Sequence, residues 1–200
     1  MKRLIVLMLV LGLSVSAANA ALISGVVVRD SDGAQIAPTA LNDGELAYMD
    51  RTHEWENVPV ALKNAEYIMT SNNDRDNRLY EMDVTLSDPA TLYLWVDNRV
   101  GDGQSADGPT VGMANPNVML WLDVFGWTST GMTMDIDEGG SGSIDQTFLI
   151  YSKDVGAGMT TLYAQDYPSV NMYGVAAVPE PMTIALLGLG GLGLLRRKRS

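Results

Sequence analysis

Residues 79–97 constrain the fold of this 200-residue chain more than any other stretch. In 79–86, Tyr80, Met82, Val84 and Leu86 alternate with Glu81, Asp83 and Thr85. Side chains of a strand point alternately to its two faces, so this is the pattern of a half-buried strand. Ser87-Asp88-Pro89-Ala90 reads as a turn, because Asp, Ser and Pro each favour one. Residues 91–97 answer it, with Leu92, Leu94 and Val96 on one face and Tyr93, Trp95 and Asp97 on the other.

Segments of the same kind recur at roughly 8–12 residue spacing: 23–29, closed by Asp30-Ser31-Asp32-Gly33, then 118–124, 132–136, 145–151 and 159–164, with 171–175 as the last. That spacing predicts an all-β chain folded as an antiparallel β-sandwich, jelly-roll-like in architecture. Helix signals are scarce, and only residues 61–66 suggest one helical turn. The connections are rich in Asp, Asn and Gly at 72–77, 98–108 and 137–145, and 101–117 reads as an extended loop. No repeat of 20–50 residues is present.

Both ends have a different character. Lys2 and Arg3 precede an apolar run over 4–15, and Ala18-Asn19-Ala20 is a small-x-small cleavage signature. Residues 1–20 therefore read as a secretory signal peptide, cut after Ala20 by a signal peptidase. At the other end, Pro179-Glu180-Pro181 is followed by an uncharged stretch over 182–195 and by Arg196, Arg197, Lys198 and Arg199. As a helix, 182–195 would cover roughly 21 Å of a hydrocarbon core about 30 Å thick. It is short for a permanent anchor, but snorkelling and bilayer thinning allow a temporary span. The basic end should stay in the cytoplasm, which leaves everything before Pro179 outside. The expected division is 1–20, signal peptide; 21–177, one extracytoplasmic domain; 178–200, tail.

The order Pro-Glu-Pro, Gly/Leu-rich apolar segment and basic terminus resembles the PEP-CTERM sorting signal of Gram-negative bacteria. The resemblance implies recognition by an exosortase, a membrane cysteine transpeptidase that cleaves near the motif. It implies a transient membrane anchor, then the cell surface or an extracellular polymer matrix. The middle, from DRTHEWENVP through EYIMTSNNDRDN to YLWVDNRVGDG, with Ile136-Asp137-Glu138-Gly139 and the strand 148–152, is also similar to a module of other PEP-CTERM-tailed proteins. That likeness implies architecture and carries no activity.

Charge narrows the partners of the middle. Six of the 13 Lys and Arg are Lys2, Arg3 and the terminal cluster, and Glu180 lies in the tail. Residues 21–177 thus carry seven basic against 23 acidic side chains, a net charge of −16. Such a domain repels nucleic acid; a polysaccharide or calcium-rich setting suits it better. With no cysteine there is neither disulfide nor thiol chemistry.

Candidate sites are few. His53 is the single histidine and reads as a locally bonded surface or turn residue, with no G-x-S-x-G, P-loop or H-E-x-x-H motif beside it. Acidic pairs of the kind a glycan hydrolase uses are too abundant to be informative, and no catalytic residue is assigned. Asn72, Asp74 and Asp76 stand at i, i+2 and i+4, and Asp83 falls where an EF-hand loop has its last ligand, which makes calcium the ion to test. The pattern departs from that loop at Asn77, where glycine is expected, and in the strand that follows. If their strand faces are open, Tyr93 and Trp95 on one and Trp121, beside Met119 and Asp123, on another would be aromatic platforms for a glycan; the alternative is packing in the second half of a sandwich core or under a loop. The function expected is a non-enzymatic structural or adhesive role at the surface or in the matrix. The alternatives are a calcium-assisted carbohydrate-binding module and a secreted hydrolase.

Overall fold

A computed structural model describes residues 21–100, 118–139 and 143–180. The expected signal peptide, the apolar stretch 182–195 expected as a helix, and the basic end all lie outside the described residues. Eleven strands occur in chain order: β1 (Ile23–Arg29), β2 (Ala34–Ile36), β3 (Glu45–Leu46), β4 (Glu54–Glu56), β5 (Glu66–Thr70), β6 (Glu81–Leu86), β7 (Ala90–Asp97), β8 (Thr128–Asp137), β9 (Gln146–Val155), β10 (Gly158–Tyr163) and β11 (Gly174–Pro179). A 3-10 turn, Asn72–Asp76, and one short helix, α1 (Trp121–Val124), complete the described elements. All strand pairs are antiparallel. The chain is a β-sandwich with a strongly curled main sheet, as the spacing of its apolar segments predicts.

The small sheet has the order β1-β6-β10 and the large one β2-β5-β11-β7-β9-β8-β4-β3. Opposed residues of antiparallel strands project to the same side. The register therefore places Trp95, Ile150, Phe148, Met134, Ile136, Trp55, Gly174, Ala176 and Tyr67 on one face of the large sheet. Every one of the apolar side chains in that set is buried. Leu92, Leu94, Val175, Ala177 and Ile68, on the other face, are buried as well. The small sheet adds Ile23, Met82, Val84, Leu86 and Leu162 to the same core cluster.

Curling explains how one sheet buries both faces. Past β3, Tyr48 bridges Thr70 at the end of β5, and the amide of Met49 donates to the Thr70 carbonyl (3.0 Å). The Tyr67 hydroxyl donates to the Leu46 carbonyl at 2.8 Å, and the Tyr48 hydroxyl to that of Met172 at 2.6 Å. The sheet's far edge is thus tied back towards β5, making a half-barrel. Inside it, Trp55 lies edge-on to Trp95 (5.4 Å) and Phe148 (5.2 Å), the favoured geometry of aromatic pairs.

Two expected strands differ. Residues 118–124 hold a helical turn instead. Phe125 N–H bonds the Trp121 carbonyl, Trp127 N–H that of Leu122 (2.8 Å) and Gly126 N–H that of Asp123 (3.0 Å), and Gly126 sits at φ 74°. This is a Schellman stop, in which a residue of positive φ closes a helix, so Phe125-Gly126 ends α1. The last strand begins at Gly174 rather than 171 and runs through Pro179. The turn expected at 61–66 is present slightly earlier, with Leu62 and Lys63 amides donating to the Pro59 carbonyl.

Candidate functional site

β11 lies between β5 and β7 and is an inner strand of the large sheet. Ala177 opposes both Glu66 and Leu92, Val178 opposes Thr91, and Pro179 opposes Ala90. Proline cannot donate to a ladder and is tolerated at a strand end, which is where Pro179 stands. Glu180 follows, exposed. The first residue of Pro179-Glu180-Pro181 is therefore the last residue of a core strand, with no linker between domain and motif. Pro181 and the basic stop Arg196, Arg197, Lys198 and Arg199 lie outside the described residues.

The four candidate calcium ligands are not brought together. Asn72 is buried, its Oδ1 accepting from the Met172 amide (2.8 Å) and its Nδ2 donating to Asn171 (3.2 Å). Asp74 accepts from the Ser31 hydroxyl (2.5 Å) and the Asp32 amide (3.1 Å), closing the β1–β2 connection. Asp76 is exposed. Asp83 stands on β6, between Arg29 (2.5 Å) and Thr161 (2.7 Å), and these two donors hold its carboxyl below the usual carboxylate range. Among the described residues no group of three or more His, Cys, Asp or Glu side chains forms a metal site. The spacing i, i+2, i+4 serves turn closure here, as short polar side chains commonly do.

The aromatic platforms also separate. Trp95 is fully buried, its indole under Gly174, so it offers no face to a ligand. Alternation left open whether its strand face meets solvent, and the curled sheet covers both faces. Tyr93, on the same face, is half-buried. Trp121 belongs to α1, not to a strand, and its Nε1 donates to the Ala164 carbonyl at 3.0 Å. It lies edge-on to Trp127, Tyr163 and Tyr173, at 6.2, 5.9 and 6.1 Å between centroids.

Trp121 does line a cleft. With Tyr163, Leu79, Leu120, Arg78 and Asp166 it bounds a cavity of about 370 Å³. Arg78 and Asp166 form an ion pair at 3.0 Å on its rim. Phe125 stacks on Tyr163 at 5.4 Å between centroids, with 20° between the rings, and is 42% exposed. Gln165, fully buried, donates to the Asn171 carbonyl, and its Oε1 has no hydrogen-bond partner. Aromatic and apolar surface beside a few polar groups is the usual make-up of a small-ligand site. Residues 118–124 were legible as apolar, but their helical form, which aims Trp121 at Tyr163, was not.

His53 precedes β4, half-buried and edge-on to Tyr48 at 5.8 Å. Burial pushes its pKa below the ordinary imidazole value.

Comparison with solved structures defines the class first. The fold is similar to part of a β-glucuronidase from glycoside hydrolase family 2, with a TM-score of 0.61 at 15% identity over 81% of this chain. The likeness shows a shared β fold and spans only 15% of that enzyme. A GH138 enzyme targeting pectin rhamnogalacturonan II superposes at a TM-score of 0.41 and 10% identity, covering 77% of this chain and 17% of that one. No curated protein matches the chain in sequence. The tail gives the second step: residues 177–199 match the PEP-CTERM protein-sorting motif. The chain therefore carries a PEP-CTERM sorting tail, which implies export and membrane-associated sorting by an exosortase.

Proposed function

We propose that this chain is an adhesive protein of the cell surface or extracellular matrix, delivered by its signal peptide and released from a transient membrane anchor by an exosortase. The observation that carries this reading is the continuity of β11 with the sorting motif. A core strand that leads directly into the motif leaves no linker between the folded sandwich and Pro179. The working domain is residues 21–177 with the first residues of the tail, and it acts by binding rather than by turnover.

Adhesion is assigned to the cleft at Trp121. Trp121 and Tyr163 supply ring surface for the apolar face of a sugar, and the pair Arg78–Asp166 supplies donors and acceptors for its hydroxyls. The test is a glycan array probed with the full chain in detergent. Retention on neutral polysaccharides is expected, and Tyr163→Ala should weaken it about tenfold, or about 1.4 kcal/mol. Silence across the array, or equal retention by the variant, would remove the cleft from the function.

A further inference from the structure

Three of the seven basic side chains between residues 21 and 177 meet at a second cleft. Arg51 comes from the segment before β4, Arg75 from the 3-10 turn and Arg99 from just beyond β7. Together with His53, Asn72, Glu138 and Asn171 they bound a cavity of about 220 Å³ with polar walls. In a domain of net charge −16, such a convergence of guanidinium groups is unexpected for a merely solvated surface.

The nearby acids pair with two of these arginines and are held by other donors as well. Asp50 pairs with Arg51 at 3.0 Å, but it also accepts from the amides of Asn72 (2.7 Å) and Asn73 (3.1 Å) and from the Ser71 hydroxyl (3.0 Å). Asp97, fully buried, receives Arg99 through Nε (2.9 Å) and Nη2 (2.6 Å), and also the Asn171 amide (3.0 Å). Glu138 accepts from Asn171 Nδ2 at 2.7 Å and stands 3.9 Å from Arg99. Arg75 differs from its neighbours. Its side chain donates through Nη1 to the Asn72 carbonyl (2.6 Å), and among the described residues it pairs with no carboxylate. His53 Nδ1 is buried with no hydrogen-bond partner among the described residues. Arg51 also donates through Nη2 to Asn73 Oδ1 at 2.6 Å, so Arg75 is the guanidinium of the cleft that no carboxylate of the described residues neutralises.

We propose that this cleft binds the carboxylate of a sugar acid, with Arg75 as the principal fork and Arg51 and Arg99 beside it. A planar guanidinium matches a carboxylate through two parallel N–H···O bonds. The cavity takes an acid group and a few ring atoms, not a nucleotide. The domain's negative charge repels a dense polyanion beyond the cleft, while screening over about 8 Å at physiological salt leaves a single inserted carboxylate little affected. This inference does not rest on the neutral-glycan reading of the Trp121 cleft.

The test titrates the full chain in detergent with sodium glucuronate, with glucose as the uncharged control, by calorimetry at two salt concentrations. Glucuronate should bind, more weakly at higher salt, and glucose should not. Arg75→Gln should weaken glucuronate at least about tenfold with the melting temperature unchanged. Arg51→Gln should act in the same direction, while Lys63→Gln, an exposed residue paired with Asp43, should leave binding unchanged. Tyr163→Ala should also leave it unchanged, which separates this site from the other cleft. A short oligouronide that binds as well as the monomer would identify a polymer as the source, and one that binds less well the free acid; either supports the site. No heat up to about 10 mM glucuronate, equal binding of glucose, or full binding by Arg75→Gln would overturn it.

Discussion

Gly174→Ala is expected to destabilise the sandwich by about 3 kcal/mol, the upper end for overpacking a tight core. A Cβ at this position would lie 2.6 Å from Cζ2 of Trp95 and closer still to two further atoms of the same indole. The ring cannot retreat. It is fully buried, edge-on to Trp55 and opposite Ile150. The backbone cannot retreat either, because β11 is paired on both sides. Urea unfolding followed by tryptophan fluorescence gives the loss. Trp95→Leu should cost stability alone, yet Gly174→Ala added to it should cost far less than in the natural chain, since contacting sites are not additive. A full additional loss in the double variant would contradict the contact.

Arg99→Ala is expected to cost about 3 kcal/mol, for an electrostatic reason. Asp97 is fully buried and Arg99 is its counter-ion, through two side-chain bonds. Removing the guanidinium leaves a buried carboxylate supported by the amides of Arg99 itself and Asn171. Those two amides place the expected loss at the low end for an orphaned buried charge. Adding Asp97→Asn to Arg99→Ala should recover part of the loss, because the charge is then gone. The same unfolding measurement checks both variants. A double variant less stable than Arg99→Ala would show that the carboxylate matters through its shape and hydrogen bonds rather than its charge.

Asp97 also marks where the sequence is legible and where it is not. The spans of β6 and β7 were readable residue by residue, because alternation and a Ser-Asp-Pro turn are local properties, but that the two strands part into different sheets was not. The span of β1 was readable for the same reason. Whether the face of Tyr93, Trp95 and Asp97 is open was not readable, because alternation does not say whether the second face meets water. That depends on the return of Tyr48 to Thr70, a contact between segments far apart in the chain. Residues 118–124 were misread because a short apolar run has no period of its own; the helix-stop at Gly126 was the available signal. The Asn and Asp residues of 72–76 carried an ion-binding spacing, but their partners, Ser31, Asp32, Asn171 and Met172, come from remote segments. The arginine cleft had no sequence signature at all, since its three forks stand at least 24 residues apart and only the fold collects them. The sorting tail was fully legible because its chemistry lies in sequence order, not in folding.

The most direct measurement is the intact mass and location of the protein recovered from cells that possess an exosortase and from cells that lack it. With the enzyme, the expected product begins at Ala21, has lost the apolar and basic end, and keeps every residue through Pro179, because β11 stays paired with β7 to that point. Without it, the chain should remain membrane-bound with residues 182–199 attached. Recovery of an uncut chain from the cytosol of both cells would contradict the assignment of this sandwich as sorted, exported cargo.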